Sequence, residues 1–253
     1  MPLRCRTVSA PLFAAALALS ACAARAQGGP PMLTDDPGTP GDGKWEINIA
    51  ALSDHEGDTT TFQLPQLDLN YGVGDRLQLN FQLPWLLQHE RGQPDLSGLG
   101  NSLVGVKWRF FDAGEDGWQI STYPHVQSRF PAARAALSEP GVSYLLPLEF
   151  ARKFGDWGVN LEAGRWLRPS AQDDTWIAGL AVGRELRKGL EFIAELHDER
   201  AVHASAHELA VNLGMRWEWS ERYTLLAALG ADVHNGLGPR DAPLTYLGLQ
   251  INL

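Results

Sequence analysis

The sequence predicts an all-β protein, a transmembrane antiparallel up-and-down β-barrel of about 12 strands. Three observations carry this prediction. Apolar and polar residues alternate with period two through most of the chain, the spacing that sends successive side chains to opposite faces of a strand. The polar ladder is too heavily charged to pack as a dry core. Links between the alternating segments are short and long in turn, as in outer-membrane barrels.

Residues 1–26 stand apart from the fold. Arg4 and Arg6 form a basic start, Pro11 to Ala21 is apolar apart from Ser20, and Ala24-Arg25-Ala26 is a small-residue cleavage signal before Gln27. This is the pattern of an export signal peptide. Leu19-Ser20-Ala21-Cys22 also matches a lipoprotein box, which would cut before Cys22 and attach lipid there, so both processing routes stay open; the site after Ala26 is well formed. By that route Cys5 and Cys22 both leave, and the mature chain has neither a disulfide framework nor a cysteine metal site. Loss of Arg4, Arg6 and Arg25 leaves 18 basic against 30 acidic residues, a net charge of −12. That balance argues against a nucleic-acid partner. A mean hydropathy of −0.20, with no long apolar run beyond the signal, excludes a bundle of transmembrane helices but not a barrel.

Residues 27–43 form a periplasmic N-terminal segment rich in proline and glycine, without regular structure. The barrel, residues 44–253, begins where the pattern becomes period two. Trp45, Ile47, Ile49 and Ala51 share one face, with Glu46, Asn48 and Ala50 on the other. From Thr60 to Tyr71, Leu67, Leu69 and Tyr71 oppose Gln66, Asp68 and Asn70, while Phe62 and Leu64 fall out of phase, so Pro65 marks a bulge. Leu77 to Trp85 alternates without a break, and no helix fits that spacing. Ser102 to Phe111 and Trp118 to Phe130 follow, with Lys107, Arg109, Ser121, His125 and Arg129 on the inner face.

Val142 to Phe150, Trp157 to Leu167 and Thr175 to Leu186 carry Glu149, Glu162 and Glu185 inward. Leu190 to His197 carries Glu191 and Glu195, and His207 to Trp217 carries Arg216. Tyr223 to Val233 and Leu244 to Leu253 complete twelve strands. Short links fall at 72–76, 112–117, 151–156, 187–189 and 218–222; longer ones fall at 52–59, 86–101, 131–141, 168–174, 198–206 and 234–243. Both chain ends then lie on the short-turn, periplasmic side. Trp45, Trp85, Trp108, Trp118, Trp157 and Trp176 stand near strand ends on the apolar ladder, where aromatic girdles meet headgroups. A secreted β-sandwich or soluble barrel also has short alternating strands. The charged inner ladder counts against it.

The lumen is the candidate functional site. Lys107, Arg109 and Arg129 face the acids Glu149, Glu162, Glu185, Glu191 and Glu195, an arrangement suited either to a charged constriction for polar or anionic solutes or to a salt-bridge network that plugs the barrel. Asp35 and Asp36 suit a cation or a place in the periplasmic mouth, with a solvated turn as the expected role. Ser121 and His125 share a strand face but lie four residues apart, roughly 13 Å at ~3.3 Å per residue, too far for a direct hydrogen bond. His197, His203 and His207 flank one outer loop without the spacing of a zinc motif. Neither catalysis nor a cofactor or metal is expected.

Several motifs together resemble the outer-membrane barrels related to the meta-pathway phenol-degradation proteins. Thr34-Asp35-Asp36-Pro37 followed by Gly41, Gly43, Trp45 and Glu46 is similar to that family's opening, and Asn70-Tyr71-Gly72-Val73 with Leu77-Gln78-Leu79 to its first short turn. Gly98-Leu99-Gly100-Asn101 and Gly105-Val106-Lys107-Trp108-Arg109-Phe110 resemble its glycine-rich strand entry, although the family usually has aspartate at the place of Asn101 and often tyrosine at that of Trp108. Tyr123-Pro124-His125 and Leu146-Pro147-Leu148 extend the match to about Phe150. The C-terminal run containing Tyr246, Gly248, Ile251 and Leu253 resembles the signal read by the barrel-assembly machinery, with leucine where an aromatic is usual. The resemblance implies an outer-membrane transporter of small, often aromatic, compounds. The expectation is therefore a passive channel or uptake path in the outer membrane, whose partners are outer-membrane lipid, the assembly machinery and a small-molecule solute. A structural or adhesion barrel with a plugged lumen, or a membrane-embedded hydrolase, is the alternative.

Overall fold

Strands with one apolar and one polar face need a sheet whose two sides meet different surroundings, and closing that sheet removes its free edges. The computed structural model, which describes residues 29–114, 117–237 and 244–253, is such a closed sheet. Its strands are β1 (Trp45–Glu56), β2 (Thr59–Val73), β3 (Leu77–Glu90), β4 (Leu96–Leu99 and Asn101–Asp112), β5 (Gln119–Thr122 and His125–Arg129), β6 (Val142–Phe154), β7 (Trp157–Leu167), β8 (Thr175–Arg187), β9 (Leu190–Ala201), β10 (His207–Glu218), β11 (Tyr223–Asn235) and β12 (Leu244–Asn252). Each pairs antiparallel with the next. β1 pairs with β12 from Glu46 opposite Asn252 to Ser53 opposite Thr245, which closes the twelve-stranded barrel. The export signal, with Cys5 and Cys22, lies outside the described residues.

Two strands are interrupted for visible reasons. β4 breaks at Gly100, whose N–H donates to the carbonyl of Pro84 on β3, a residue with no N–H to give in return. β5 breaks at Tyr123-Pro124, because proline has no N–H to give; the Pro124 carbonyl still accepts from Val106. The bulge expected at Pro65 is present as a register shift between Gln63 and Gln66 against β3. It corrects the phase, so that Phe62 and Leu64 face outward with the rest of the apolar ladder.

The outer surface is apolar along its whole height, with Leu79, Trp108, Leu146 and Leu213 all exposed. A surface this apolar and this continuous belongs in lipid rather than water. The barrel is therefore an outer-membrane barrel and not a secreted sandwich. All six predicted girdle tryptophans point outward: Trp45, Trp108, Trp118 and Trp157 near the inner end, Trp85 and Trp176 toward the outer end.

The links differ from the expectation in one respect. The segments at 52–59 and 86–101 are mostly strand, because β1 and β2 run on to a two-residue turn at Gly57-Asp58 and β3 runs on to Glu90. Thr59–Thr61 and Phe62 pair with Leu87–Glu90 there, so the sheet continues as paired strand to the outer turn. The 130–141 link is a true loop, folded back so that Arg134 donates to the Ser97 carbonyl and Leu137 is buried.

Candidate functional site

Every second residue of each strand points into the lumen, and the inner ladder divides into two layers. Near mid-barrel and below it lie buried charges: Lys107 on β4, Glu149 on β6, Glu162 on β7 and Glu195 on β9. Toward the outer end the same ladders turn apolar. Leu103, Leu145, Trp166 and Ile177 pack together there, four residues that share parity with the charged ones and were passed over as lumen groups by the sequence reading. Ala50, Leu52, Leu226 and Tyr246 form a second apolar group on the facing wall.

A third arrangement is a polar net on β1, β2 and β3. Asp68 accepts hydrogen bonds from Asn48 at 3.0 Å, Asn70 at 3.2 Å and Asn80 at 2.6 Å. Gln78 extends the net by donating to Asn70 at 2.7 Å. A buried carboxylate is tolerated only with such a set of donors, and the alternation of Asn, Asp and Gln on neighbouring strands supplies it.

The decisive feature is what occupies the charged layer. Residues 29–40 fold up into the lumen from the inner mouth, without helix or strand. The Lys107 ammonium donates to the Asp35 carboxylate at 2.8 Å and to the Asp36 carbonyl. Glu195 accepts from the backbone N–H groups of Leu33 and Thr34, and Glu162 from that of Asp35 at 3.0 Å. Arg216 on β10 donates to the carbonyls of Pro30 at 3.1 Å and Gly29 at 3.4 Å. Met32 lies against Ala181 and Ile193. Two glycines make room: a Cβ at Gly179 would collide with Thr34, and one at Gly214 with Met32.

This placement corrects the reading of Asp35 and Asp36. Asp35 is buried beside Lys107 and Asp36 is half-buried near Arg216, so neither belongs to a solvated turn; the wall's cations, not an exposed loop, satisfy their charge. Among the other predicted residues, Lys107, Glu149, Glu162 and Glu195 are brought together in the lumen. Glu191 lies lower, 3.7 Å from Arg216. Three residues are displaced from that group. Arg109 stands at the inner rim, paired with Asp112 at 3.3 Å and donating to the Asp75 carbonyl. Arg129 is exposed at the outer end of β5, donating to the Ala133 carbonyl. Glu185 is exposed and accepts from the Gly189 N–H in the β8–β9 turn. Ladder parity is right for all three, but position along the strand puts them at the mouths.

Of the C-terminal residues, Tyr246 is buried in the lumen and Gly248 leaves space for its ring. Ile251 pairs with Ile47 and Tyr223, and Leu253 exchanges backbone hydrogen bonds with Trp45 at the seam. Ser121 donates to Glu149, whereas His125 packs edge-on against Tyr123 at 3.9 Å between ring centroids, so these two do not form a nucleophile and base pair. His207 contacts Asp198 at 2.8 Å and stacks on His234, while His203 is exposed. Among the described residues no group of three histidine or acidic side chains is disposed to hold a metal.

The barrel fold has solved counterparts. They are outer-membrane barrels. The chain is similar to the crystal structure of an outer membrane channel from Pseudomonas putida F1, with a TM-score of 0.72 at 16% identity over 86% of this chain and 98% of that one. It is also similar to KdgM porin, with a TM-score of 0.58 at 10% identity over 81% of this chain and 98% of that one. The β domain of the Bordetella autotransporter BrkA follows, with a TM-score of 0.52 at 12% identity over 83% and 98%. At such identities the likeness is one of fold. No protein-family model matches the chain, and no curated protein matches it.

Proposed function

We propose that the barrel is a passive outer-membrane channel for small molecules, held shut by residues 29–40 in the conformation described above. The observation that carries this reading is the chemistry of the attachment. Asp35 is held by the Lys107 ammonium, the backbone of residues 33–35 by Glu195 and Glu162, and the carbonyls of Gly29 and Pro30 by Arg216. Water and a polar solute can replace hydrogen bonds and ion pairs of this kind at small net cost, whereas an apolar filler would have to be pulled from a dry core. Likeness to an outer membrane channel and to a porin supports permeation as the activity. The resemblance to the meta-pathway group supports small solutes, aromatic ones included, and the Leu103, Leu145, Trp166 and Ile177 layer offers such solutes an apolar surface.

A second reading, a structural barrel with a permanent plug, draws support from Met32, which is buried against Ala181 and Ile193. Planar-bilayer conductance of the mature protein separates the two. Ohmic openings whose ion selectivity shifts in Lys107→Met support the channel. A folded, heat-modifiable barrel that stays silent at every voltage, with and without Asp35→Ala, supports the permanent plug and overturns the channel.

A further inference from the structure

The apolar group of Leu103, Leu145, Trp166 and Ile177 lies toward the outer end of the lumen, yet Leu103, Leu145 and Trp166 are each no more than 5% exposed. These residues stand on β4, β6, β7 and β8, and the link between β5 and β6 leaves the wall in the middle of that stretch. Its residues 131–141 could stand up from the rim or turn inward. Gly98 on β4 decides between the two. It is buried and pairs with Leu86, which continues the inward ladder of Gln78, Asn80 and Gln82 on β3. A Cβ at Gly98 would come within 3.1 Å of Arg134 and 3.6 Å of Leu137. The link therefore lies against the inside of β4.

The same segment is fastened at its other end to the opposite side of the apolar group. Glu139 lies 3.8 Å from the Arg168 guanidinium, which is 4.6 Å above the ring centre of Trp166 and donates to Glu199 on β9 at 3.4 Å. Gly141, with φ of +89° excluded and +84° adopted, ends the segment so close to Pro169 that a Cβ there would collide with it. Ala133 and Leu137 are buried, while Arg134, Ala135 and Ala136 face solvent. One side of the segment is thus turned to the lumen and the other to the outside.

We propose that residues 131–141 are an outer lid, which roofs the lumen above the Leu103, Leu145, Trp166 and Ile177 group and lifts to admit solute. Its fastenings suit a part that opens. They are the hydrogen bond from Arg134 to the Ser97 carbonyl at 3.0 Å, the Glu139–Arg168 pair and the seat of Leu137, and no strand pairing holds it. A few such contacts lie at the low end of local opening energies, whereas the paired strands on either side lie at the high end. With residues 29–40 in the inner mouth, the lumen is shut from both sides, so passage needs two separate releases. That last step rests on the channel reading; the lid itself does not.

The test reads access of a reagent to a thiol under the lid. Ser143, 4% exposed, is on the inward ladder of β6 one step outside Leu145, and Ser143→Cys is a conservative change. The mature protein in detergent is treated with a charged methanethiosulfonate, with Ala132→Cys, on the exposed part of the link, as the open reference. Ser143→Cys is expected to react far more slowly than the reference. Where reaction follows lid opening, adding Arg134→Ala should speed it about fivefold through the lost hydrogen bond, and adding Leu137→Ser roughly 30-fold through the lost apolar seat. Both changes lie outside the strands, and heat-modifiable migration confirms that the barrel is folded. A Ser143→Cys rate equal to that of the reference overturns the lid. So does a slow rate that neither lid change raises, including one that Asp35→Ala alone raises, which would place entry at the inner mouth. A barrel silent in bilayers would overturn the channel and leave these rates standing.

Discussion

Replacing Asp35 by alanine alters the plug and leaves the barrel wall as it is. The Asp35 side chain is 6% exposed and the Lys107 side chain 4%, so their 2.8 Å contact is shielded from solvent. Breaking a buried ion pair by removing one partner typically costs about 3–5 kcal/mol, because the other charge is left uncompensated. Here the remaining charge keeps a neighbour: Glu149 lies 4.0 Å from the Lys107 ammonium. That lowers the expected cost toward ~2 kcal/mol. The hydrogen bond from the Asp36 N–H to the Asp35 carboxylate, at 2.7 Å, is lost as well and adds about 1 kcal/mol. The cost of about 3 kcal/mol falls on the plugged state alone, since a withdrawn plug leaves Asp35 in water. At 1.36 kcal/mol per tenfold, the ratio of open to closed barrels rises roughly 150-fold. The assay is open probability in planar bilayers, with Asp42→Ala as control, because Asp42 caps the Gly74 N–H at the exposed inner turn and touches no part of the lumen. An Asp35→Ala barrel that is folded and opens no more often than the control refutes the reasoning.

Three further outcomes are expected. Gly179→Ala places a methyl group where Thr34 lies, so it raises open probability while leaving heat-modifiable migration unchanged; a lower open probability counts against the packing described. Trp166→Ala empties the centre of the Leu103, Leu145 and Ile177 group and lowers stability by about 3–5 kcal/mol in denaturant titration, whereas lipid-facing Trp176→Ala costs clearly less. In the outer loop, the Arg168 N–H and then the Arg165 guanidinium hold the Asp174 carboxyl below its ordinary value of 3.8. A depressed folded-state pKa stabilises the ionised form, so this contribution is complete above about pH 4 and is lost as pH falls through the lowered value. Protease nicking of residues 168–174 should therefore rise only at more acidic pH, and Asp174→Asn should remove that pH dependence.

The barrel was readable because a membrane strand records its two environments residue by residue. Leu77 to Trp85 shows the alternation without interruption, and even the irregular stretch at Phe62 and Leu64 announced its bulge through Pro65. Parity also assigned Lys107, Glu149, Glu162 and Glu195 to the lumen. Depth along the strand is another matter, since period two says which face a residue takes but not how far it stands from the rim. Arg109, Arg129 and Glu185 were misplaced for that reason. The plug was hidden for a different one. Pro30, Pro31 and the glycines of residues 29–43 have no period, and their partners on β4, β7, β9 and β10 are distant in sequence, so local pattern carries no trace of the contact. The available signal was the excess of acids on the inner face, where Glu149, Glu162 and Glu195 share the buried layer with Lys107. The apolar layer around Trp166 was legible in principle, because Leu103, Leu145, Trp166 and Ile177 keep the parity of the charged ladder.

The course of residues 29–43 has a topological consequence. Gly43 bonds to Gly72 at the inner end of β2, while Gly29, at the other end of the segment, lies under Arg216 near the inner end of β10. The chain rises to Thr34 beside Gly179 and turns back, so that Gly29 comes to lie beside Asp35 and Asp36. It is a bight of rope and not a thread. Nothing described passes through the barrel from one side to the other, so the described bight does not lace the β1–β12 seam.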